Sequence, residues 1–257
     1  MSKIIRFIKK SLIITELEGR KIFHDPTEIF TRAVQPALWL LIFGQVFEKL
    51  HPIHTSVSYL EFMTPGILAQ SVLFISIFYG IAIIWERDLG LTHKLLVTPT
   101  PRTALVLGKA LSAGLRAIPV IIIIDLLAVL LNVPLNWHPL QLLAVLIIVI
   151  TGSVLFSTFS LIIACIVKTR ERFMGIGQIL TMPLFFASNA IYPIDIMPDW
   201  LKVLSRVNPL TYMINALRAN MLPAQAGVNI LPDIMILVFI SVILIILGGL
   251  LYKRVII

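Results

Sequence analysis

Long stretches without a charged residue constrain this chain more than any other feature of its sequence. The 24 residues from Phe62 to Trp85 contain no Asp, Glu, Lys or Arg, and a second such stretch runs for 42 residues from Leu126 to Val167. About 20 apolar residues are enough for a helix to cross a bilayer. Apolar residues make up 58% of the chain and charged residues 13%, against roughly 45 to 50% and 25% in soluble domains. The sequence therefore predicts an all-α integral membrane protein.

Six membrane-spanning helices fit between the charged residues. The longer stretch divides at Asn132–Pro139, where NVPLNWHP supplies turn residues, and provides spans three and four. The first span is short unless Ile29 and Phe30 extend it while Arg32 snorkels toward the headgroups. We expect the other four spans at Ala33–Phe47, Phe62–Trp85, Phe173–Ile191 and Ile234–Tyr252.

The basic residues indicate how these spans are oriented. If the amino terminus is inside, 15 of the 21 Lys and Arg residues fall in cytoplasmic segments or at the chain ends. Lys and Arg favour the cytoplasmic side of short loops. The sequence thus predicts a multi-pass protein of the cytoplasmic (inner) membrane with both termini in the cytoplasm. It also explains the net charge of +8 without a nucleic-acid partner, since the positive charge is spread over separate inner-surface segments.

Three further segments have amphipathic patterns. Residues 1–28 are expected to form a helix along the inner interface. Residues 193–224 are expected outside, as two short helices interrupted at Asn208–Pro209 that dip into the outer leaflet. The loop between spans two and three carries Leu91, Leu95 and Leu96 on one side of a short helix that ends near Pro99. Such a helix suits a docking element or an ordinary interfacial loop, and periodicity alone does not separate the two.

The motifs of common enzymes are absent from the sequence. HExxH, GxSxG and CxxC do not occur, and Gly108–Lys109 lacks the first glycine and the Ser/Thr of a phosphate-binding loop. His51 and His54 are interpreted as a chance pair rather than a metal site. We expect no catalytic residue, no metal and no cofactor in this chain.

Three charged residues fall within span three: Lys109, Arg116 and Asp125. Such residues are candidates for function because their burial without a partner costs several kcal/mol. Lys109 and Arg116 share a helix face and Asp125 lies on the opposite one, which disfavours an internal pair. The favoured interpretation places Lys109 near the inner interface and Asp125 near the outer one, with Arg116 snorkelling or paired with another segment.

Two motifs then resemble a known family. ERDLGLTHKLLVTPTPR at residues 86–102 resembles its ER-x-x-G-x-x-x-x-LL-x-x-P-x-x-R loop. YPIDIMPDWLKVLSRVNPLTYMINALR at residues 192–218 resembles its P-x-x-x-x-P-x-W-L segment followed by NPLTY and ALR. On these motifs, and over nearly all 257 residues, the chain resembles the membrane subunit of type-2 ABC exporters, which export drugs, lipids and polysaccharides.

The resemblance implies a single permease domain over residues 1–257. It would contain an N-terminal interfacial helix, six transmembrane helices, a cytoplasmic coupling helix in loop 86–102 and an outer re-entrant helical hairpin at 193–224. Carried over residue by residue, the ATPase-coupling segment comprises Glu86, Arg87, Asp88, Gly90, Lys94, Leu95, Leu96 and Pro99. The outer re-entrant motif comprises Pro193, Pro198, Trp200, Asn208, Pro209, Tyr212 and Arg218. Thr92 and His93 depart from the family pattern before the LL pair.

The implied partners are two copies of an ABC ATPase, which hold ATP and Mg, a second permease subunit, most simply a homodimer, and membrane lipid. A hydrophobic or amphipathic substrate (drug, lipid or lipid-linked glycan) would move along spans two and five. Phe74, Phe78, Phe185 and Phe186 are candidates for that path, although the favoured interpretation of these four rings is contact with lipid or packing between helices. Two other hypotheses remain: an ATP-independent secondary transporter or channel, and a membrane-bound enzyme.

Overall fold

The computed structural model describes residues 3–24, 27–50, 57–90, 100–167 and 169–252. These residues fold into helices, and no β-strand occurs among them. The α-helices are α1 Lys3–His24, α2 Thr27–Leu38, α3 Gln45–Leu50, α4 Tyr59–Tyr79, α5 Ile81–Asp88, α6 Arg102–Leu130, α7 Pro139–Ile166, α8 Arg170–Phe186, α9 Asp199–Val207, α10 Pro209–Met221 and α11 Leu231–Leu251. Short 3₁₀ turns precede α9 at Ile194–Ile196 and follow α10 at Pro223–Gln225.

Four helical segments within the described ranges are long and apolar enough to cross a membrane. They are Tyr59–Asp88, Arg102–Leu130, Pro139–Ile166 and Leu231–Leu251. The expected first span has another form: α2 contains Pro36, and a π-helical segment at Trp39–Gly44 joins it to α3. The expected fifth span corresponds to α8, which has 17 residues and contains Pro183. The chain is thus an all-α membrane protein in which two of the expected spans are short or interrupted.

Polar side chains fix where several helices begin. Ser58 accepts a hydrogen bond from the backbone N–H of Glu61 at 3.2 Å, before α4. Asn208 accepts one from the N–H of Leu210 at 3.0 Å, before α10. Such caps satisfy N–H groups that have no partner inside the helix. Pro209 is the first residue of α10, a position at which the N–H that proline lacks would have no partner within the helix. Asn208 and Pro209 together therefore separate α9 from α10.

Helix α7 lies at the centre of the bundle and packs against α4, α6, α10 and α11. A methyl group added at Gly152 of α7 would lie 2.5 Å from Met213 of α10, so the helices meet closely. Ser160 of α7 donates to the carbonyl of Ile77, near the break between α4 and α5 at Gly80. Small residues at such contacts let membrane helices approach through backbone and short side chains.

Helix α1 packs against α6 on one face and leaves an apolar face open. The Thr15 hydroxyl donates to the carbonyl of Gly108 at 3.0 Å. The opposite face exposes a row of large apolar side chains: Ile5, Ile8, Leu12, Ile13 and Leu17. An amphipathic helix with this arrangement suits the boundary between headgroups and acyl chains.

Candidate functional site

A buried lysine connects three separate helices. The Lys109 side chain, from α6, is 1% exposed. Its ammonium group donates to a carboxylate oxygen of Glu86, from α5, and lies 3.5 Å from a carboxylate oxygen of Glu18, from α1. The cation is therefore shared between the N-terminal helix and the short helix that leads into the coupling segment.

Two further polar side chains extend this arrangement. The hydroxyl of Tyr79 donates to Glu18 at 3.0 Å and accepts from Ser112 at 2.9 Å. The guanidinium of Arg116 lies 4.8 Å from the centre of the Tyr79 ring, which is a cation–π distance. We call these residues the charge cluster: Glu18, Tyr79, Glu86, Lys109, Ser112 and Arg116.

The charge cluster changes the interpretation of the charges in α6. Lys109 is enclosed by protein and paired with carboxylates, and its ammonium group is not exposed to water or headgroups. Arg116 is paired with another segment, one of the two arrangements that the sequence allowed. Glu86, which the family resemblance places in the coupling segment, shares Lys109 with Glu18 of the N-terminal helix. The periodicity of α6 gave no sign of Glu18, because the two residues are 91 positions apart.

The described part of the coupling segment ends at Gly90, which has a φ of +71°. This left-handed conformation follows the C-terminus of α5 and favours glycine. Asp88 accepts a hydrogen bond from Arg170 of α8 at 2.9 Å, and Arg87 donates to the carbonyl of Val167 at 3.5 Å. The base of this segment thus contacts the start of α8 as well as the charge cluster. Lys94, Leu95, Leu96 and Pro99 lie outside the described residues.

The predicted outer motif is anchored by Arg218. This side chain is 5% exposed in α10 and donates to the carbonyls of Phe62 at 3.1 Å and Asn189 at 2.9 Å. Its guanidinium also lies 4.0 Å from the centre of the Phe62 ring. Asn208 donates to the carbonyl of Leu184 at 2.6 Å. Two backbone carbonyls thus accept from one nitrogen of the charged group, and these bonds hold α10 against α4 and the turn that follows α8.

The remaining residues of that motif shape its turns. Pro193 and Pro198 precede the 3₁₀ turn and α9, while Pro209 opens α10. Tyr212 donates to the carbonyl of Arg206, which ties α10 to the end of α9. Trp200 is 66% exposed, on the same helix as other exposed apolar side chains. The motif therefore combines an anchored helix with an exposed one.

A substitution at Gly66 tests the contact between α4 and the backbone of Ala190, in the turn that follows α8. A methyl group there would lie 2.5 Å from the carbonyl oxygen of Ala190, a backbone atom with little room to move. We expect Gly66→Ala to lower the free energy of unfolding by about 1–3 kcal/mol, the usual cost of overpacking. Gly175→Ala is the matched control, because nothing lies within 4 Å of the added atom. Unfolding in mixed micelles measures both, and equal stability of the two variants would contradict the contact.

The four candidate aromatics form two separate pairs. Phe74 and Phe78 have ring centres 6.1 Å apart and line a cavity between α2 and α4. Phe185 is buried, and its ring meets Trp39 edge to face at 5.9 Å. Phe186 is 44% exposed beside it. The geometry thus gives Phe74 and Phe78 access to a ligand-sized space and gives Phe185 a packing role.

Comparison with known proteins adds independent evidence. Residues 11–222 match the family described as ABC-2 type transporter. A protein of Cyanophora paradoxa named as transport permease ycf38 is 30% identical over 220 residues, which cover 82% of this chain and 74% of that protein. The daunorubicin resistance ABC transporter permease protein DrrB1 of Streptomyces coeruleorubidus is 23% identical over 198 residues, covering 77% and 70%. The inner membrane transport permease YadH of Escherichia coli strain K12 is 28% identical over 202 residues, covering 76% and 74%.

The family match spans the interior of the chain from α1 to the end of α10, and so includes the charge cluster and the Arg218 anchor. This chain therefore belongs to the ABC-2 type transporter family of membrane transport permeases.

Proposed function

We propose that this permease is the membrane subunit of an ATP-driven exporter that works by alternating access. ATP would be hydrolysed, with Mg, on two copies of a separate ABC ATPase, and the permease itself would carry out no bond chemistry. The observation that supports this proposal best is the charge cluster. It joins the helix at the base of the coupling segment to both the N-terminal helix and α6 through one buried cation.

The mechanism follows from that connection. When the ATPase subunits close on ATP, they displace the coupling segment and with it α5. Because Glu86 and Glu18 share Lys109, such a displacement acts on α6 and α1 together rather than on one loop. Rigid helices then carry the motion to the bilayer centre, where the opening of the subunit interface changes sides.

The full topology is part of the proposal. The helical residues 27–50 and helix α8 would each cross the membrane once, which together with the four long helical segments gives six crossings. Both termini would lie on the cytoplasmic side of an inner membrane. Residues 193–224 would then lie outside as a re-entrant hairpin, with exposed Trp200 toward the outer leaflet. A second copy of the chain would supply the other half of the transport path.

The substrate class is proposed as hydrophobic or amphipathic. The cavity between α2 and α4 is lined in part by the apolar rings of Phe74 and Phe78. One relative is named as a daunorubicin resistance permease, which is in line with export of such a molecule. The molecule itself could be a drug, a lipid or a lipid-linked glycan.

Reconstitution tests this proposal against its rival, a secondary transporter or channel. The full chain is expressed with the ABC ATPase encoded nearest to it, purified as a complex and placed in proteoliposomes. We expect substrate movement that requires ATP hydrolysis and stops when the ATPase is inactivated by a Walker lysine substitution. Solute movement by the permease alone, driven by an ion gradient, would refute the exporter proposal and support the rival.

A further inference from the structure

A cavity of about 500 Å³ lies between α2 and α4. This volume falls within the range of small-molecule sites, roughly 300 to 1,000 Å³. The rings of Phe74 and Phe78 line it together with the polar side chains of Thr31, Gln35 and Gln70. A packing gap between two apolar helices would be lined by apolar side chains alone. Polar side chains inside a membrane raise the free energy unless they have hydrogen-bond partners, so their presence in this lining indicates a ligand that supplies such partners.

Gln70 is the unusual member of this wall. The residue is 4% exposed, and its amide oxygen has no hydrogen-bond partner among the described residues. Its neighbour Ser71 is satisfied, since its hydroxyl donates to the carbonyl of Ile67 at 2.8 Å. Buried polar atoms in proteins nearly always have a partner. A bound molecule with a hydrogen-bond donor would supply the partner that Gln70 lacks here.

The charged residues that line the cavity restrict the charge that a ligand can carry. Arg32 is the one charged residue in its described lining, and no carboxylate is present there to attract a cation. Gln70 lies near the middle of the helical segment Tyr59–Asp88, with Phe74 and Phe78 one and two turns closer to α5. The apolar rings therefore follow the Gln70 amide along one side of the cavity. A molecule with a polar part and an apolar part could contact the amide with the first and the rings with the second.

We propose that this cavity binds an amphiphile that has hydrogen-bond donors, such as hydroxyl or amide groups, and no positive charge, and that Gln70 selects it. The donors would bind the Gln70 amide while the apolar part packs against Phe74 and Phe78. The inference rests on the proposed function, for which it names the site and the class of substrate. Gln70 would then be a specificity-determining residue rather than a packing residue.

Photolabelling of the full chain in lipid nanodiscs tests this inference. Three probes carry the same diazirine-bearing alkyl chain and differ in the head: a glucoside, its permethylated form without donors, and a trimethylammonium. We expect the glucoside to label peptides containing residues 31–36 and 70–78 about fivefold to tenfold more than the other two, the effect of one buried hydrogen bond. Excess free glucose should not compete, because the apolar chain supplies the rest of the binding.

Two variants connect the labelling to Gln70. Gln70→Leu is expected to reduce glucoside labelling about fivefold to tenfold, to the level of the permethylated probe. Gln141→Leu is the control, since Gln141 also has a buried amide oxygen without a described partner but does not line the cavity. Equal labelling by the glucoside and its permethylated form, or an unchanged Gln70→Leu variant, would overturn the inference.

A third outcome assigns the cavity to another occupant. If no probe labels it and Gln35→Cys forms a disulfide between two copies, the cavity is part of a subunit contact and the inference is wrong. These results are independent of the exporter proposal. Selective labelling without ATP-driven transport would support the ligand site and contradict the exporter proposal. ATP-driven transport without selective labelling would support the exporter proposal and contradict the ligand site.

Discussion

Lys109→Met is expected to lower the free energy of unfolding by about 3–5 kcal/mol, because it removes the cation that two buried carboxylates share. Glu18 and Glu86 are 3% and 7% exposed, so water cannot readily replace Lys109 as their partner. Unfolding of the purified protein in mixed micelles, followed by near-UV circular dichroism, measures the loss. Lys202→Met is the matched control, because Lys202 pairs with fully exposed Asp199 and such a pair contributes about 1 kcal/mol or less.

A triple variant separates the stabilising role of the charge cluster from its role in coupling. Glu18→Gln and Glu86→Gln, combined with Lys109→Met, remove the uncompensated charges, and most of the lost stability should return. The variant should still bind its ATPase, while ATP-driven transport in proteoliposomes should fall well below that of the unchanged protein. If Lys109→Met is as stable as Lys202→Met, the pairing described here is wrong; full transport by the triple variant would exclude its role in coupling.

Deletion of Gly90–Pro99 should abolish association with the ATPase. These residues contain the Leu95–Leu96 pair that the family resemblance assigns to the docking surface, and the deletion leaves the charge cluster and all four long helical segments in the chain. The measurement is co-purification of the ATPase with a tagged permease from detergent-solubilised membranes. Unchanged elution of the variant in size-exclusion chromatography would show that it is folded and inserted.

Two loop replacements accompany this deletion. Ten Gly and Ser residues in place of Gly90–Pro99 keep the chain length, and association should still be lost, because the docking side chains are gone. Four such residues in place of Ala226–Asn229, before α11, should leave association intact. Co-purification at the normal level after the deletion would refute the assignment of residues 86–102 as the coupling segment.

The long helices could be predicted from the sequence because lipid imposes a simple requirement on them. The charge-free stretch Phe62–Trp85 lies within the helical segment Tyr59–Asp88, and the turn predicted at Asn132–Pro139 falls between Leu130, where α6 ends, and Pro139, where α7 begins. A run of apolar residues is a local property, so each of these segments is visible without its neighbours.

The charge cluster could not be predicted in the same way. The pairing of Glu18 with Lys109 depends on how α1 packs against α6, which is seen in the contact of Thr15 with Gly108. Periodicity assigns a residue to a helix face but does not identify the opposing helix. The interruption at Trp39–Gly44 also escaped prediction, because the sequence there is as apolar as an ordinary span.

The break at Gly80 restricts how α5 can move. An atom added at Gly80 would lie 2.1 Å from the Ser160 hydroxyl, which itself holds the carbonyl of Ile77. Helix α5, about 12 Å long from its eight residues, therefore begins in direct contact with the central helix α7. A side chain at position 80 would collide with Ser160 and with the Phe173 ring, so even alanine there would have to separate the α4–α5 junction from α7 while the sequences of both helices stayed unchanged.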